Sequence, residues 1–186
     1  MIEGFRAGWR GLRSLEHQGY VYIWANLLWI LLSLPIITAP AAWAGLIRLS
    51  YHTQQSPTAA QFDEFWQGFR ENLKRGVVLA LVNVAVIGVN VVNLLAYRDA
   101  AGLAADTSRT VWTLALLLWV TLQLYAWPLF YAMEQPSLRG AFRNAAVMIA
   151  LNPLFTLAIL LMMTVLIALS TLFPAAWLLL TGAALA

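Results

Sequence analysis

Long apolar runs alternate with short polar stretches along this chain. Four runs contain no charged residue, and they cover residues 20–38, 77–97, 111–133 and 153–173. Each is close to the ~20 residues that a helix needs to cross the hydrocarbon core of a bilayer. The chain is 62% hydrophobic and 10% charged, whereas soluble domains average about 25% charged residues. The pattern therefore predicts an all-α, polytopic helical membrane protein.

The first apolar run is followed by Pro35, Pro40 and a shorter apolar segment, residues 41–51. Pro35 predicts a kink, and Pro40 suits the first turn of a new helix. At ~1.5 Å per residue, residues 41–51 reach only about half of a ~30 Å core. The first apolar run, residues 20–38, is longer than the ~7–15 apolar residues of a signal peptide, which favours a membrane anchor over a cleaved leader.

The distribution of cations indicates that residues 41–51 return to the side where the chain starts. With a return, nine of the eleven cations share one side; without it, the split is five to six. The nine are Arg6, Arg10, Arg13, Arg48, Arg70, Lys74, Arg75, Arg139 and Arg143. Because cytoplasmic loops are enriched in Lys and Arg, the larger asymmetry is favoured. We predict a kinked hairpin over residues 20–51, with the N-terminus and both hairpin ends cytoplasmic.

Amphipathic segments flank the spans. Residues 1–19 and 56–75 each place apolar side chains on one helical face, as interfacial helices do. Glu71 and Arg75 are at pairing distance on the second helix, which Ser56 can cap. Its polar face has two interpretations: a solvated surface above lipid, or a face that docks a partner. The candidate docking residues are Glu64, Gln67, Arg70, Glu71 and Arg75.

Asparagines form a stripe on the span over residues 77–97. Asn83, Asn90 and Asn93 fall within one arc of the helix. Because amides are costly in lipid, we expect the stripe to face other helices, through interhelical hydrogen bonds or along a polar path. On the next span Trp119 and Trp127 share a face, which indicates aromatic packing or the wall of a groove.

The last part of the chain begins with Pro136 and Ser137, which open a short amphipathic helix. Asn152 and Pro153 then predict the start of the last full span. Residues 174–177 repeat the tetrapeptide of residues 40–43 and open a truncated last helix over residues 174–186. The whole prediction is one membrane domain, residues 1–186, with four full spans, a short returning arm after the first, and interfacial amphipathic helices.

Recognisable catalytic or cofactor-binding patterns are missing from the sequence. Cysteine is absent, and neither a zinc-protease motif, a serine-nucleophile elbow nor a phosphate-binding glycine loop occurs. We therefore predict a non-enzymatic protein without metal or cofactor. The formal charge of +3 is accounted for by arginines that flank membrane spans, so the bilayer is the expected partner and nucleic acid is not.

Several short motifs resemble the YesL-type family of small bacterial membrane proteins. They are Asn26-Leu27-Leu28-Trp29, Leu34-Pro35, Pro40-Ala41, the aromatic series from Phe62 to Phe69 with Asn72-Leu73-Lys74-Arg75, and Asn152-Pro153. Genes of this family often accompany ATP-driven sugar importers. The resemblance implies a bacterial inner-membrane protein that is an accessory in carbohydrate uptake, with other transport subunits as partners. A self-sufficient small transporter or channel and a lipid-interacting scaffold are the alternatives.

Overall fold

The computed structural model describes residues 19–55 and 61–173, which form seven helices and no strand. The helices are α1 (Gly19–Ser33), α2 (Ala39–Gln55), α3 (Phe62–Glu71), α4 (Leu73–Ala96), α5 (Leu103–Ala132), α6 (Leu138–Leu151) and α7 (Pro153–Leu172). The predicted helical class is confirmed for these residues. The predicted interfacial helix over residues 1–19, the cap by Ser56 and the truncated last helix lie outside the described residues, Gly19 excepted.

Three helices, α4, α5 and α7, are long and apolar enough to cross a membrane. The predicted count of four full spans is not confirmed, because α1 has only 15 residues and extends about 22 Å against a ~30 Å core. The shortening arises at Pro35. The sequence predicts a kink there, but α1 ends at Ser33, Ile36 takes a positive φ of 62° and a new helix begins at Ala39.

The helix α2 lies at the centre of the fold and packs against α1, α3, α4 and α5. More than half of its residues are buried: Ala41, Ala42, Ala44, Gly45, Leu46, Ile47, Leu49, Ser50 and Thr53. Small side chains let its neighbours approach closely. A Cβ on Gly68 of α3 would lie 3.0 Å from the Cα of Gly45, and one on Gly76 of α4 would lie 2.6 Å from the Cβ of Ala41. The returning arm, predicted to be short, is thus a helix of 17 residues that forms the centre of the core.

The hairpin of α1 and α2 enters the bundle at its base, the end where α4 begins and α5 ends. Ala44 of α2 is hydrogen-bonded to Tyr131, one residue before the end of α5. Ala39 and Pro40, where α2 begins, line one pocket with Asn83 and Ile87 of α4, and the next residue, Ala41, packs on Gly76. Ile87 is 14 residues after Leu73, or about 21 Å along the helix. The hairpin thus turns back part-way along α4, and the cytoplasmic location of its two ends stays a prediction.

The predicted amphipathic helix over residues 56–75 is divided in two. The helix α3 ends at Glu71, and α4 begins at Leu73 rather than at residue 77. Phe65 and Phe69 of α3 are buried inside the protein, whereas Phe62 and Trp66 remain exposed. The apolar face of α3 therefore packs mainly on the hairpin, and only its edge is available to lipid.

The helix α6 packs extensively on α5, whereas α7 makes few contacts with α6. The helix α6 opens at Ser137, in agreement with the sequence, and the Ser137 side chain caps it by accepting a hydrogen bond from the Gly140 amide at 3.2 Å. The helix α7 begins at Pro153 as predicted, but the Asn152 side chain makes no cap hydrogen bond. Only Thr156 and Ala158 of α7 are buried. Most of α7 is thus an uncovered apolar surface.

Candidate functional site

A cavity of about 350 Å³ lies where the turn of the hairpin meets α4 and α5. We call it the tip cavity. Its lining comes from four helices and includes Trp29, Ser33, Ala39, Pro40, Trp43, Asn83, Ile87, Trp119, Val120, Gln123, Leu124 and Trp127. The volume is at the small end of the ~300–1,000 Å³ of ligand pockets. The cavity exists because α1 and α2 stop part-way along α4 and α5.

Four of the nine tryptophans of the chain line the tip cavity. Trp29 and Trp43 lie on the two arms of the hairpin, with ring centroids 5.9 Å apart. Trp127 is 1% exposed and packs edge-on against Phe130 at 5.4 Å. The indoles of Trp29 and Trp43 therefore pack on each other beside the cavity, and Trp127 lies behind them in the core.

Trp119 and Gln123 of α5 both donate hydrogen bonds to the Asn83 side-chain oxygen. The Trp119 Nε1 lies 3.1 Å from the Asn83 Oδ1, and the Gln123 Nε2 donates to the same atom. Trp119 also stacks on Phe142 of α6 at 5.5 Å, with planes 14° apart. Asn83 thereby joins α4 to α5, in agreement with the predicted interhelical role of the stripe.

Polar groups without a protein partner remain at the tip cavity. The Ser33 Oγ is buried and makes no hydrogen bond within the part of the chain that the structure describes. The Asn83 Nδ2 and the Gln123 Oε1 also bond to no other described residue. A buried polar group without a partner costs about 1–3 kcal/mol. The Ser33 Oγ is covered by the protein itself, so of these groups the site presents only the Asn83 Nδ2 and the Gln123 Oε1 to whatever enters it.

The lining residues carry no titratable side chain. General acid–base and nucleophilic catalysis both need such a group within reach of the substrate. The described residues also contain no group of three or more His, Cys, Asp or Glu side chains that could hold a metal ion. The lining thus combines apolar surfaces with uncharged polar groups.

The candidate docking face on α3 is engaged largely within the chain. Arg48 of α2 donates to the Glu64 Oε2 at 2.9 Å, to the Glu71 Oε2 at 2.6 Å and to the Gln67 Oε1 at 3.0 Å. Burial opposes the charge of Arg48, but its bonds to Glu64 and Glu71 outweigh this and raise its pKa. Three of the five candidate residues therefore fasten α3 to α2.

The other two candidate docking residues are separated by the break after α3. Arg70 is exposed on α3. Arg75, on α4, donates to the Asn72 Oδ1 at 3.1 Å and lies over the Phe130 ring at 5.4 Å. The predicted Glu71–Arg75 pair is therefore replaced by separate contacts, because Asn72 interrupts the helix between them.

The asparagine stripe is divided in its roles. Whereas Asn83 bonds to α5, the Asn90 Nδ2 donates to Val86 O at 2.8 Å and the Asn93 Nδ2 donates to Val89 O at 2.7 Å, both within α4. The Asn90 Oδ1 is buried without a partner among the described residues. Only the first asparagine links two helices within the described residues.

Sequence reasoning found Asn83, Trp119 and Trp127 but missed Trp29, Trp43 and Ser33. The missed residues belong to the hairpin, whose depth in the bundle decides which of its side chains meet α4 and α5. The dense tryptophans around Pro35 and Pro40 were the available signal. It could not be used without knowing that α1 ends at Ser33.

Comparisons with known proteins identify one family. Residues 22–94 match the family model described as "Protein of unknown function, DUF624". The matched part contains the hairpin, α3 and nearly all of α4. No curated protein and no solved structure matched the chain.

Proposed function

We propose, from the premise that residues 22–94 belong to the DUF624 family and so confirm the YesL-type resemblance, that this protein is a non-enzymatic accessory component in carbohydrate uptake. It would lie in the bacterial inner membrane with the N-terminus cytoplasmic and assemble with the membrane subunits of an ATP-driven sugar importer. The resemblance supplies the link to sugar. The structure supports the part of the proposal that concerns assembly.

The observation that carries the proposal is the uncovered surface of the long helices. At most 22% of the apolar window of α4, α5 or α7 is buried inside the protein, and most side chains of α4 beyond the hairpin turn are exposed. A Cβ placed on Gly88 would meet nothing within 4 Å. Small residues on a membrane helix allow a second helix to approach closely. A subunit that docks by α4 would present this kind of surface.

The test is co-purification of the full chain from native membranes in mild detergent, with Gly88→Leu as the informative variant. The larger side chain has open space in the isolated fold, so folding is preserved while close helix approach is blocked. We expect an importer subunit to co-purify with the native chain and to be lost with Gly88→Leu. Val89→Leu is the matched control, because Val89 is 53% exposed on the same helix, and it should retain the partner.

A self-sufficient transporter is the second candidate, and the tip cavity favours it. A transporter needs a site between its helices near mid-membrane, and the tip cavity lies part-way along α4 and α5. Liposomes containing only this chain distinguish the two. Sugar uptake by such liposomes would replace the accessory role by transport, whereas absence of uptake together with co-purification of an importer supports the accessory role.

A further inference from the structure

We infer that the base of the bundle is a binding surface for the phosphate groups of anionic phospholipids in the leaflet around it. The inference goes beyond the proposed function, which uses the surface of α4 beyond the hairpin turn. It rests on where the chain leaves positive charges without acidic partners. The five side chains concerned, here called the base cations, are Arg70, Lys74, Arg75, Arg139 and Arg143.

Three of the base cations lie where α3 ends and α4 begins. Arg70 is in the last turn of α3, and Lys74 and Arg75 are in the first turn of α4. No charged residue follows them in α4, which is long and apolar enough to cross a membrane. Cations that flank the end of such a helix lie at the level of the lipid headgroups.

The other two base cations lie at the start of α6, which the fold brings to the same end of the bundle. Arg139 adjoins Gly140, where an added Cβ would lie 2.7 Å from the Cε of Met133, the residue that follows α5. Arg143 comes one turn later on α6. Because helical side chains tilt toward the start of their helix, the Arg143 side chain is directed back toward the base.

The two ends of the bundle differ in how their charges are balanced. At the end opposite the base, the cations pair with nearby acids, as Arg98–Asp99 and Arg109–Asp106. At the base, Arg48 takes both Glu64 and Glu71. None of the base cations has an acidic partner among the residues that the structure describes. Their charge is therefore left for another anion.

The remaining acids of the chain are too few to balance this charge. Asp63 and Glu134 lie at the base, both are exposed, and neither pairs with a described cation. Residues 1–18 hold two acids but three arginines, and residues 56–60 and 174–186 hold no charged residue. An anion that neutralises the base cations must therefore come from outside the chain.

The position of the base cations favours a lipid phosphate as that anion. All five are exposed at the end of a membrane-spanning helix. Phe62, Trp66 and Arg70 follow one another at four-residue intervals, so two exposed rings and a cation share one side of α3. Aromatic rings favour the headgroup level. This side of α3 thus offers a ring to the lipid chains and a cation to the phosphate.

Arg139 and Arg143 are the sharpest point of the surface. They are one turn apart on α6, where two like charges repel each other. A phosphate between them would remove the repulsion, and a guanidinium can bind phosphate oxygens with two parallel hydrogen bonds. Neither side chain makes a hydrogen bond, ion pair or ring contact with another described residue. Substitutions at these two positions therefore remove charge without breaking a contact within the described fold.

The test compares spin-labelled phosphatidylglycerol with spin-labelled phosphatidylcholine in bilayers that contain the full chain. The fraction of each label held at the protein surface gives the relative association of the two lipids. We expect the native chain to prefer phosphatidylglycerol. Arg139→Gln combined with Arg143→Gln should lower this preference by up to about five-fold for each charge, the equivalent of about 1 kcal/mol. Raising the salt from about 0.01 M to 1 M should weaken the preference, because the screening length falls from ~30 Å to ~3 Å.

Two double variants are the controls. Arg139→Lys with Arg143→Lys keeps both charges and should keep most of the preference. Arg98→Gln with Asp99→Asn removes an exposed ion pair at the opposite end and should leave the preference unchanged. The melting temperatures of all the variants should match that of the native chain.

Three results would overturn the inference. The first is equal association of the two lipids with the native chain, and the second is a preference that the glutamine variants do not lower more than the controls do. The third is loss of the preference in inorganic phosphate but not in chloride of equal ionic strength, which would assign the base cations to a soluble anion. Failure of importer co-purification would leave the inference intact, because the lipid measurement uses the purified chain.

Discussion

Asn72 and Tyr131 are hydrogen-bonded although they are 59 residues apart in the chain. The Asn72 Nδ2 donates to the Tyr131 hydroxyl at 2.9 Å, and that hydroxyl lies 3.1 Å from the Ala44 carbonyl oxygen, to which it donates. Asn72 also donates to Gly68 O at 3.0 Å. One phenol therefore connects the hairpin, the break between α3 and α4, and the end of α5.

Tyr131→Phe should destabilise the protein by about 1–3 kcal/mol, because it leaves the buried Asn72 amide without one acceptor. Thermal unfolding in detergent measures the loss. Tyr125→Phe is the control, since Tyr125 has a single longer contact, 3.3 Å to the Thr156 hydroxyl. Equal losses of stability in both variants would show that the hydrogen bonds of Tyr131 stabilise the protein no more than the single contact of Tyr125.

Close packing of the hairpin on α4 predicts opposite effects for two glycines of one helix. Gly76→Ala places a methyl group 2.6 Å from the Ala41 Cβ, so α2 must move, and we expect a loss of about 1–3 kcal/mol. Gly88→Ala meets open space and should be neutral or stabilising by up to about 1 kcal/mol through helix propensity. Thermal unfolding of the two variants in detergent measures both changes in stability. A similar change in both would contradict the close packing of α2 on α4 at Gly76.

Arg48→Lys should lower stability by about 1 kcal/mol or more. The guanidinium reaches three acceptors on α3 from fixed directions, and an ammonium cannot reproduce that geometry. Its side chain is only 15% exposed, whereas Arg98 is 72% exposed in its pair with Asp99. Arg98→Lys should therefore have almost no effect. If the two substitutions cost the same, the Arg48 cluster does not fasten α3 to α2.

The asparagine stripe should show a gradient of stability effects. Asn83→Leu removes the acceptor shared by Trp119 and Gln123, and we expect a loss of about 0.6–2 kcal/mol. Asn93→Leu breaks only a bond within α4 and should cost less. Asn90→Leu breaks the similar bond to Val86 O but also removes a buried oxygen without a partner among the described residues, so the two effects should nearly cancel. Unfolding in detergent that gives equal losses for all three would point to interhelical bonds at every position.

Labelling can test the hairpin directly, because the native chain has no cysteine. A cysteine at Gln55 should react with an impermeant reagent only from the cytoplasmic side, and one at Asp99 only from the opposite side. A nitroxide at Leu34, which is 70% exposed at the hairpin turn, should be more accessible to oxygen than to a water-soluble nickel reagent. Reaction of the Gln55 cysteine from outside would refute the hairpin.

The sequence predicts the helical class and the start of α7, since both depend on local signals such as an uncharged run or Asn152 before Pro153. It also predicts the interhelical role of Asn83, because an amide in an apolar span needs a partner. It does not predict that Arg48 meets Glu64, 16 residues away, since that contact depends on how α3 folds back on α2. The tip cavity was hidden for the same reason, because its walls come from four separate helices.

The Arg48 cluster also has a consequence for the order in which the chain assembles as it is made. Arg48 is synthesised before all three of its acceptors, which follow 16 to 23 residues later. Until then the three contacts by which Arg48 holds α3 among the described residues cannot form. The contacts between the hairpin and α3 can form only after α3 has been synthesised. Tyr131, which bonds to Ala44 O of the hairpin and to Asn72, is synthesised later still. The contact that fixes α2 against α3 thus depends on residues that are synthesised after α2.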